Sequence, residues 1–272
     1  MYVFGGIVSS YPAQDTHKID LATLEWSGEI ITSGTKPTAR YYHTSVSYDK
    51  YMYVFGGTYD GTGFNDTHRL DLTNNAWSGG LDVSGTKPVG RNTVACVYGN
   101  YMYVFGGYTT AFVNDLHRLN LDTLAWSGAL GPTGTPPSIR CGHSVVTYGN
   151  YMYVFGGYAG AAPYYNDLHR LNLDTLVWSG ALSPTGTPPG TRYFHQSAVY
   201  GRYMYVFGGN NASGTDPHRI DLDNLVWSGA LTCSGTPAAY RTAHTGVTWN
   251  DGFYIFSGSS QNNDLHRLQG LM

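Results

Sequence analysis

Apolar and polar positions along this chain follow the two-residue period of β-strands, and no stretch sustains a helical period. In "YMYVFGG" at residues 101–107, Tyr101, Tyr103 and Phe105 fall on one side and Met102 and Val104 on the other, so both sides are apolar. A strand of that kind belongs in a sheet covered on both faces. Its surroundings parse into "GRNTVACVY", then "YMYVFGG" after a Gly99–Asn100 turn, then "DLHRLNL" and "LAWSGAL". These are four short strands divided by turn residues.

The pattern recurs. Glycine pairs at Gly5–Gly6, Gly56–Gly57, Gly106–Gly107, Gly156–Gly157 and Gly208–Gly209, with Ser257–Gly258 as a degenerate sixth, set a period of about 50 residues. Trp26, Trp77, Trp126, Trp178 and Trp227 each open "WSG", and Arg40, Arg91, Arg140, Arg192 and Arg241 follow in step. An isolated four-stranded sheet cannot hide two apolar faces, whereas sheets stacked in a ring can. The expectation is an all-β propeller in one domain, with six blades at about 1–32, 33–83, 84–132, 133–184, 185–233 and 234–272. Counted from Met1, the first blade lacks its innermost strand and the last its Trp-bearing outermost one. Met1 takes the place of Met52, Met102, Met152 and Met204, so it is expected to be an internal repeat methionine in a portion of a longer ring. The competing reading is a six-bladed ring with two three-stranded blades.

The glycine pair after an aromatic and β-branched strand, the "NDL" entry to the third strand and the Trp of the fourth together resemble kelch repeats, over essentially the whole chain. The resemblance implies the propeller fold and leaves function open, because that family includes adaptor domains, oxidases and sugar isomerases. Where kelch units usually carry Tyr or Trp, this chain has His17, His68, His117, His169, His218 and His266. Units three and four are nearly identical across their strands, which points to recent duplication or deliberate design.

Charged residues are 12% of the chain against a usual figure of about 25%, and the 36 glycines suit stacked sheets. A net charge of -3 with no Lys/Arg block argues against nucleic acid as a partner. The odd count of cysteines, Cys96, Cys141 and Cys233, argues against a disulfide framework and for a reducing compartment. No apolar run approaches the roughly 18 residues a membrane helix needs, so the expected setting is cytoplasmic.

In an up-and-down blade, the loops joining strands two and three share one face with the blade-to-blade connections. Here those loops vary: "IVSSYPAQ", "TYDGTGFN", "YTTAFVN", "YAGAAPYYN", "NNASGTD" and "SSQNN". They hold Tyr11, Tyr59, Phe64, Tyr108, Phe112, Tyr158, Tyr164 and Tyr165, read as exposed aromatics of the kind that anchor interfaces. The innermost strand starts on that face, so Arg40, Arg91, Arg140, Arg192 and Arg241 are expected to ring the mouth of a central channel. There they would either hold an acidic group through paired hydrogen bonds or bind loop carbonyls of a neighbouring blade. The two residues after each arginine differ between blades: Tyr41 and Tyr42, Asn92 and Thr93, Cys141 and Gly142, Tyr193 and Phe194, Thr242 and Ala243. The expected partner site joins the five arginines, Tyr41, Tyr42, Tyr193 and Phe194 to the loop residues Tyr108, Phe112, Tyr158, Tyr164 and Tyr165.

The chemistry of catalysis finds little support. Six symmetry-related histidines on third strands would stand too far apart to share a metal, whose ligands lie at about 2 Å. They are expected to pack between blades with one ring nitrogen on a carbonyl. His43, His143, His195 and His244 follow the arginines by three residues and are expected inside the blade stack. Asp15, Asp66, Asp115, Asp167, Asp216 and Asp264 recur before the third strand, which argues for a structural turn or loop bond. The iron-binding Glu, Asp and His spacing of the similar plant specifier proteins is missing after Glu25 and Glu29. Nothing around Cys141 supports the copper site of the related oxidases. The reading is a non-enzymatic scaffold with no cofactor or metal, binding a protein or peptide at the channel mouth. The alternatives are a sugar-like or acidic small molecule bound or isomerised there, and a repeat array without an evolved ligand.

Overall fold

Apolar side chains on both faces commit the second strand of each repeat to the middle of a sheet, and Met102, Tyr103, Val104 and Phe105 are all buried there. The computed structural model describes residues 1–210, 216–233, 238–258 and 264–269. The chain forms two compact units, Met1–Gly131 and Pro132–Met272. Among the described residues each holds three sheets, giving six propeller blades, of which the first and the last have three strands.

The third blade shows the plan. Asn92–Tyr98, Tyr101–Tyr108, Phe112–Asn120 and Ala125–Leu130 pair in sequence order. The two-residue Gly99–Asn100 turn closes the first hairpin, with Tyr98 facing Tyr101 and Gly99 at φ 58°. Within the first unit Phe4 packs on Trp77 and Phe55 on Trp126, at ring distances of 4.9 Å in both cases. In the second unit Phe155 packs on Trp227 at 5.3 Å. The second-strand phenylalanine of one blade thus covers a fourth-strand tryptophan of another. At the short-turn end, Tyr48 donates to Asp122 and Tyr148 to Asp223, each at 2.8 Å.

The blades carry a strand that the sequence pattern did not predict. The "SGT" or "TGT" after each "WSG" segment pairs in parallel with a Trp-bearing strand further along: Ser33–Thr35 with Ala76–Gly80, Ser84–Thr86 with Ala125–Leu130, Thr133–Thr135 with Val177–Ala181, and Thr185–Thr187 with Val226–Ala230. Gly85 lies so close to the Trp126 carbonyl that a Cβ would collide with it, and its φ of +75° also excludes most side chains. The connecting segment of one blade is therefore the outer edge of the next sheet. It covers an edge that would otherwise be open to pairing with another chain. The matching segment before the last blade, at 234–237, lies outside the described residues.

Candidate functional site

From the second blade on, an arginine precedes the first strand and turns its side chain into its own blade. Arg40 donates through Nε to the Thr38 carbonyl at 3.0 Å, through one terminal nitrogen to the Gly56 carbonyl at 2.9 Å, and through both to Asp66 at 2.6 and 2.8 Å. Arg91 with Asp115, Arg140 with Asp167 and Arg241 with Asp264 repeat the fork. The second carboxylate oxygen also takes a hydrogen bond from the third-strand histidine two residues on, at 2.8 Å for His68 and His117. Burial opposes charge on Asp66, Asp115 and Asp167, but the bonds from arginine and histidine outweigh it and hold these carboxyls well below the usual range. At Asp264 the Arg241 hydrogen bond leads, and the carboxyl is lowered to about 2.

This corrects three expectations. The arginines bond within their own blades, and Arg40, Arg91 and Arg140 have no exposed surface at all, so their guanidiniums are not presented to a ligand. The third-strand histidines at 17, 68, 117, 169 and 266 meet a carboxylate two residues back, and a carbonyl only at His218. Asp66, Asp115, Asp167 and Asp264 anchor the buried arginines, which is a stronger role than a turn, while Asp15 holds only His17. Blade five departs from the rule. Arg192 donates to the carbonyls of Gly190 and Gly208 and pairs with no carboxylate among the described residues, and burial lowers its pKa to about 10. There Pro217 stands between Asp216 and His218, and a proline gives no N–H to the strand ladder.

Of the first-strand histidines, His143, His195 and His244 are buried as expected and His43 is half-buried. Desolvation, helped by Arg40, lowers His43 to about 4, and desolvation with Arg241 lowers His244 to about 3. His195 meets Ser144 at 2.9 Å, and Ser144 meets Ser197 at 2.7 Å. All three cysteines are free thiols, and burial pushes Cys96 up to about 12 and Cys141 up to about 11. Among the described residues no group of three or more His, Cys, Asp or Glu could hold a metal, and no helix is long and apolar enough to cross a membrane.

The aromatic residues form the more distinctive feature. In the second unit Tyr158 lies 4.3 Å from Tyr193 and 5.7 Å from Phe194, and Tyr164 stacks on Tyr193 at 5.5 Å and 12°. Two residues missed in the sequence extend the group: Asn210 donates to the Tyr193 hydroxyl at 2.5 Å, and the exposed Tyr240 donates to Asn210 at 2.9 Å. Phe194 sits at φ 54°, a left-handed backbone that costs a bulky residue free energy. The space for its ring comes from Gly142, where a Cβ would press on it at 3.2 Å.

In the first unit Tyr41 and Tyr42 meet edge to face at 5.0 Å, and Tyr108 and Phe112 do the same at the end of a hairpin. A cleft of about 160 Å³ lies against Tyr41, Tyr42, Asn92 and Tyr108. Its other lining residues are Thr58, Gly61, Gly63 and Thr109. A tight hairpin forms one wall, with Thr58 facing Gly63 and Tyr59 facing Thr62 around the Asp60–Gly61 turn. The φ angles of that turn, 47° and 78°, are those of a type I′ turn, which Asp-Gly favours.

Not every loop aromatic joins these groups. Phe64 and Tyr165 lie over Arg40 and Arg140, at 4.3 and 4.2 Å, and serve the repeat's own ion pair. Tyr11, Tyr59 and Tyr108 are exposed, whereas Phe64, Phe112, Tyr158, Tyr164 and Tyr165 are half-buried, a correction to the expectation that all are exposed. Most of the loop from Asn210 and the loop from Ser259 fall outside the described residues.

Comparison with known proteins bears on this geometry. The family described as "KLHDC2/KLHL20/DRC7 Kelch-repeats domain" matches residues 1–157 and again 95–271. Kelch domain-containing protein 3 of Rattus norvegicus is 32% identical over 223 residues, covering 77% of this chain and 45% of that protein. Acyl-CoA-binding domain-containing protein 5 of Arabidopsis thaliana is 33% identical over 194 residues, covering 66% of this chain and 30% of that protein. The Drosophila melanogaster leucine-zipper-like transcriptional regulator 1 homolog is 32% identical, over 77% of this chain and 23% of that protein. The chain thus spans less than half the length of these relatives.

Proposed function

Because this chain belongs to the kelch-repeat β-propeller family, we propose that it is a non-enzymatic recognition scaffold holding a protein partner on the aromatic loop ends of its blades. The observation that carries this reading is the contiguous group Tyr158, Tyr164, Tyr193 and Phe194, widened by Tyr240 and Asn210. None of its rings belongs to the repeat's internal ion pairs, and the positions beside the arginines differ from blade to blade. Large, pre-ordered aromatic surface with polar tips is what interface anchors supply at low entropic cost.

Burial of the arginines makes the aromatics, with their hydroxyl and amide groups, the surface a partner meets. A long anionic ligand is disfavoured on this account. The cleft of the first unit, at about 160 Å³, is below the roughly 300 Å³ at which pockets enclose drug-sized ligands.

The test is capture of proteins from an extract of the source cells on immobilised chain, with a Tyr158→Ala/Tyr193→Ala variant and an Arg118→Ala control in parallel. A protein held by the parent and the control but released by the double variant is the expected result. Equal retention by all three, with every variant folded, would remove the loop aromatics from recognition.

A further inference from the structure

The cleft of the first unit has a lining that narrows what it takes. Its volume, about 160 Å³, is close to that of a cavity that holds one benzene molecule, roughly 150 Å³, so a single compact group fills it. Three of its eight lining residues are tyrosines. None is Leu, Ile, Val or Met, and none carries a formal charge. Tyr41 and Tyr42 meet at 68°, so two ring planes form a corner, and Tyr108 lines the cleft from the neighbouring hairpin.

Tyrosine faces are electron-rich and attract cations, most strongly when the cation is desolvated. The fold uses this pairing elsewhere in the same unit: Arg69 lies over Tyr51 at 4.3 Å and Arg118 over Tyr101 at 4.5 Å. In the cleft no Lys or Arg of the chain lines the wall, and the exposed Asp60, next to the lining Gly61, puts a negative charge at the hairpin tip. A plain ammonium is strongly hydrated and gains most from a carboxylate partner when it enters such a site. No carboxylate lines this one. A methylated ammonium is weakly hydrated, is nearly spherical and matches the volume.

Tyr42 adds an independent point. Its φ is 56°, a conformation shared at the equivalent position by Gly142 in blade four, Phe194 in blade five and Ala243 in blade six. A small residue fits there, yet this blade, like blade five, places a large aromatic on a strained backbone. Strain of this kind collects at ligand-contacting positions.

We propose that Tyr41, Tyr42 and Tyr108 form an aromatic cage for a methylated ammonium group, the trimethyl-lysine side chain of a protein partner. The cage deepens the recognition reading and rests on it. Its test uses N-acetyl-trimethyl-lysine methylamide, titrated by saturation-transfer NMR against the purified chain. Parallel arms use the unmethylated lysine derivative, the neutral carbon isostere with a tert-butyl end, phosphocholine and glucose.

Saturable binding of the trimethylated probe is expected, about tenfold tighter than the isostere and the unmethylated form, as an attraction of 1–2 kcal/mol requires. Tyr108→Ala and Tyr42→Gly should abolish it with the melting temperature of Tyr108→Ala near the parent's, while Tyr108→Phe retains it. Equal binding of the isostere would make the cleft an apolar slot. Tighter phosphocholine would move the source to a lipid headgroup, glucose alone would make it a sugar site, and no binding at all would end the proposal. Loss of the cage with partner capture still dependent on Tyr158 and Tyr193 would leave protein recognition standing.

Discussion

Arg91 has no exposed surface, and its guanidinium is neutralised by one carboxylate, that of Asp115, which is about one-third exposed. Breaking a buried pair from one side strands the other charge, and the usual cost is about 3–5 kcal/mol. Asp115→Asn should therefore lower unfolding stability by about 3 kcal/mol in denaturant titrations, toward the small end because Asp115 is partly solvated. The first-strand histidines predict the pH response. An unfolded imidazole takes its proton near 6.5, whereas folded His43 does so only near 4 and folded His244 near 3. The unfolded chain thus binds more protons between these values, so stability is fully present above pH 6.5 and falls as the pH drops toward 4. For His43 alone the loss is roughly 3 kcal/mol. The depressed aspartates add a second loss below about pH 4, continuing as the pH falls through their folded values. Denaturant midpoints at pH 7, 5.5 and 4.5 check the sign, and a flat profile across that window would refute it.

At the scale of elements, the parallel edge strand explains a motif that reads as a loop. "SGT" is polar, holds a glycine and is three residues long, so nothing in its pattern signals a strand. Its demand for glycine comes from the tryptophan carbonyl of another strand about 40 residues on, a constraint that local pattern does not carry. Gly85→Ala should cost more than Gly99→Ala. Both glycines have positive φ, but a Cβ at Gly99 meets nothing within 4 Å while one at Gly85 meets the Trp126 backbone. Gly99→Ala should lose about 1 kcal/mol, the left-handed backbone term, and Gly85→Ala clearly more. Equal losses would mean that the edge strand yields easily. The Arg–Asp–His fork was legible in principle, since Arg40 and Asp66 recur in step with Arg91 and Asp115. Arginine and aspartate are 23 to 27 residues apart in these blades, however, and only the fold shows that the second strand between them brings them together.

Across the molecule, the blades and their two-faced apolar strands were readable because each repeat restates the same constraint. The aromatic groups were partly readable for the opposite reason: Tyr41, Tyr193 and Phe194 stand at positions the repeat leaves variable. Tyr240 and Asn210 escaped notice, one because it precedes its arginine and the other because an isolated asparagine in a polar loop carries no pattern. Phe64 and Tyr165 were overread, since their arginine partners are visible only in three dimensions. Hydrogen exchange on the chain, with and without its captured partner, decides whether the aromatic loop ends bind a protein. Protection is expected within 58–63, 108–112, 158–165 and 193–194, with the turns at 98–101 and 121–124 unchanged. Protection confined to those turns, or spread over the edge strands, would contradict it.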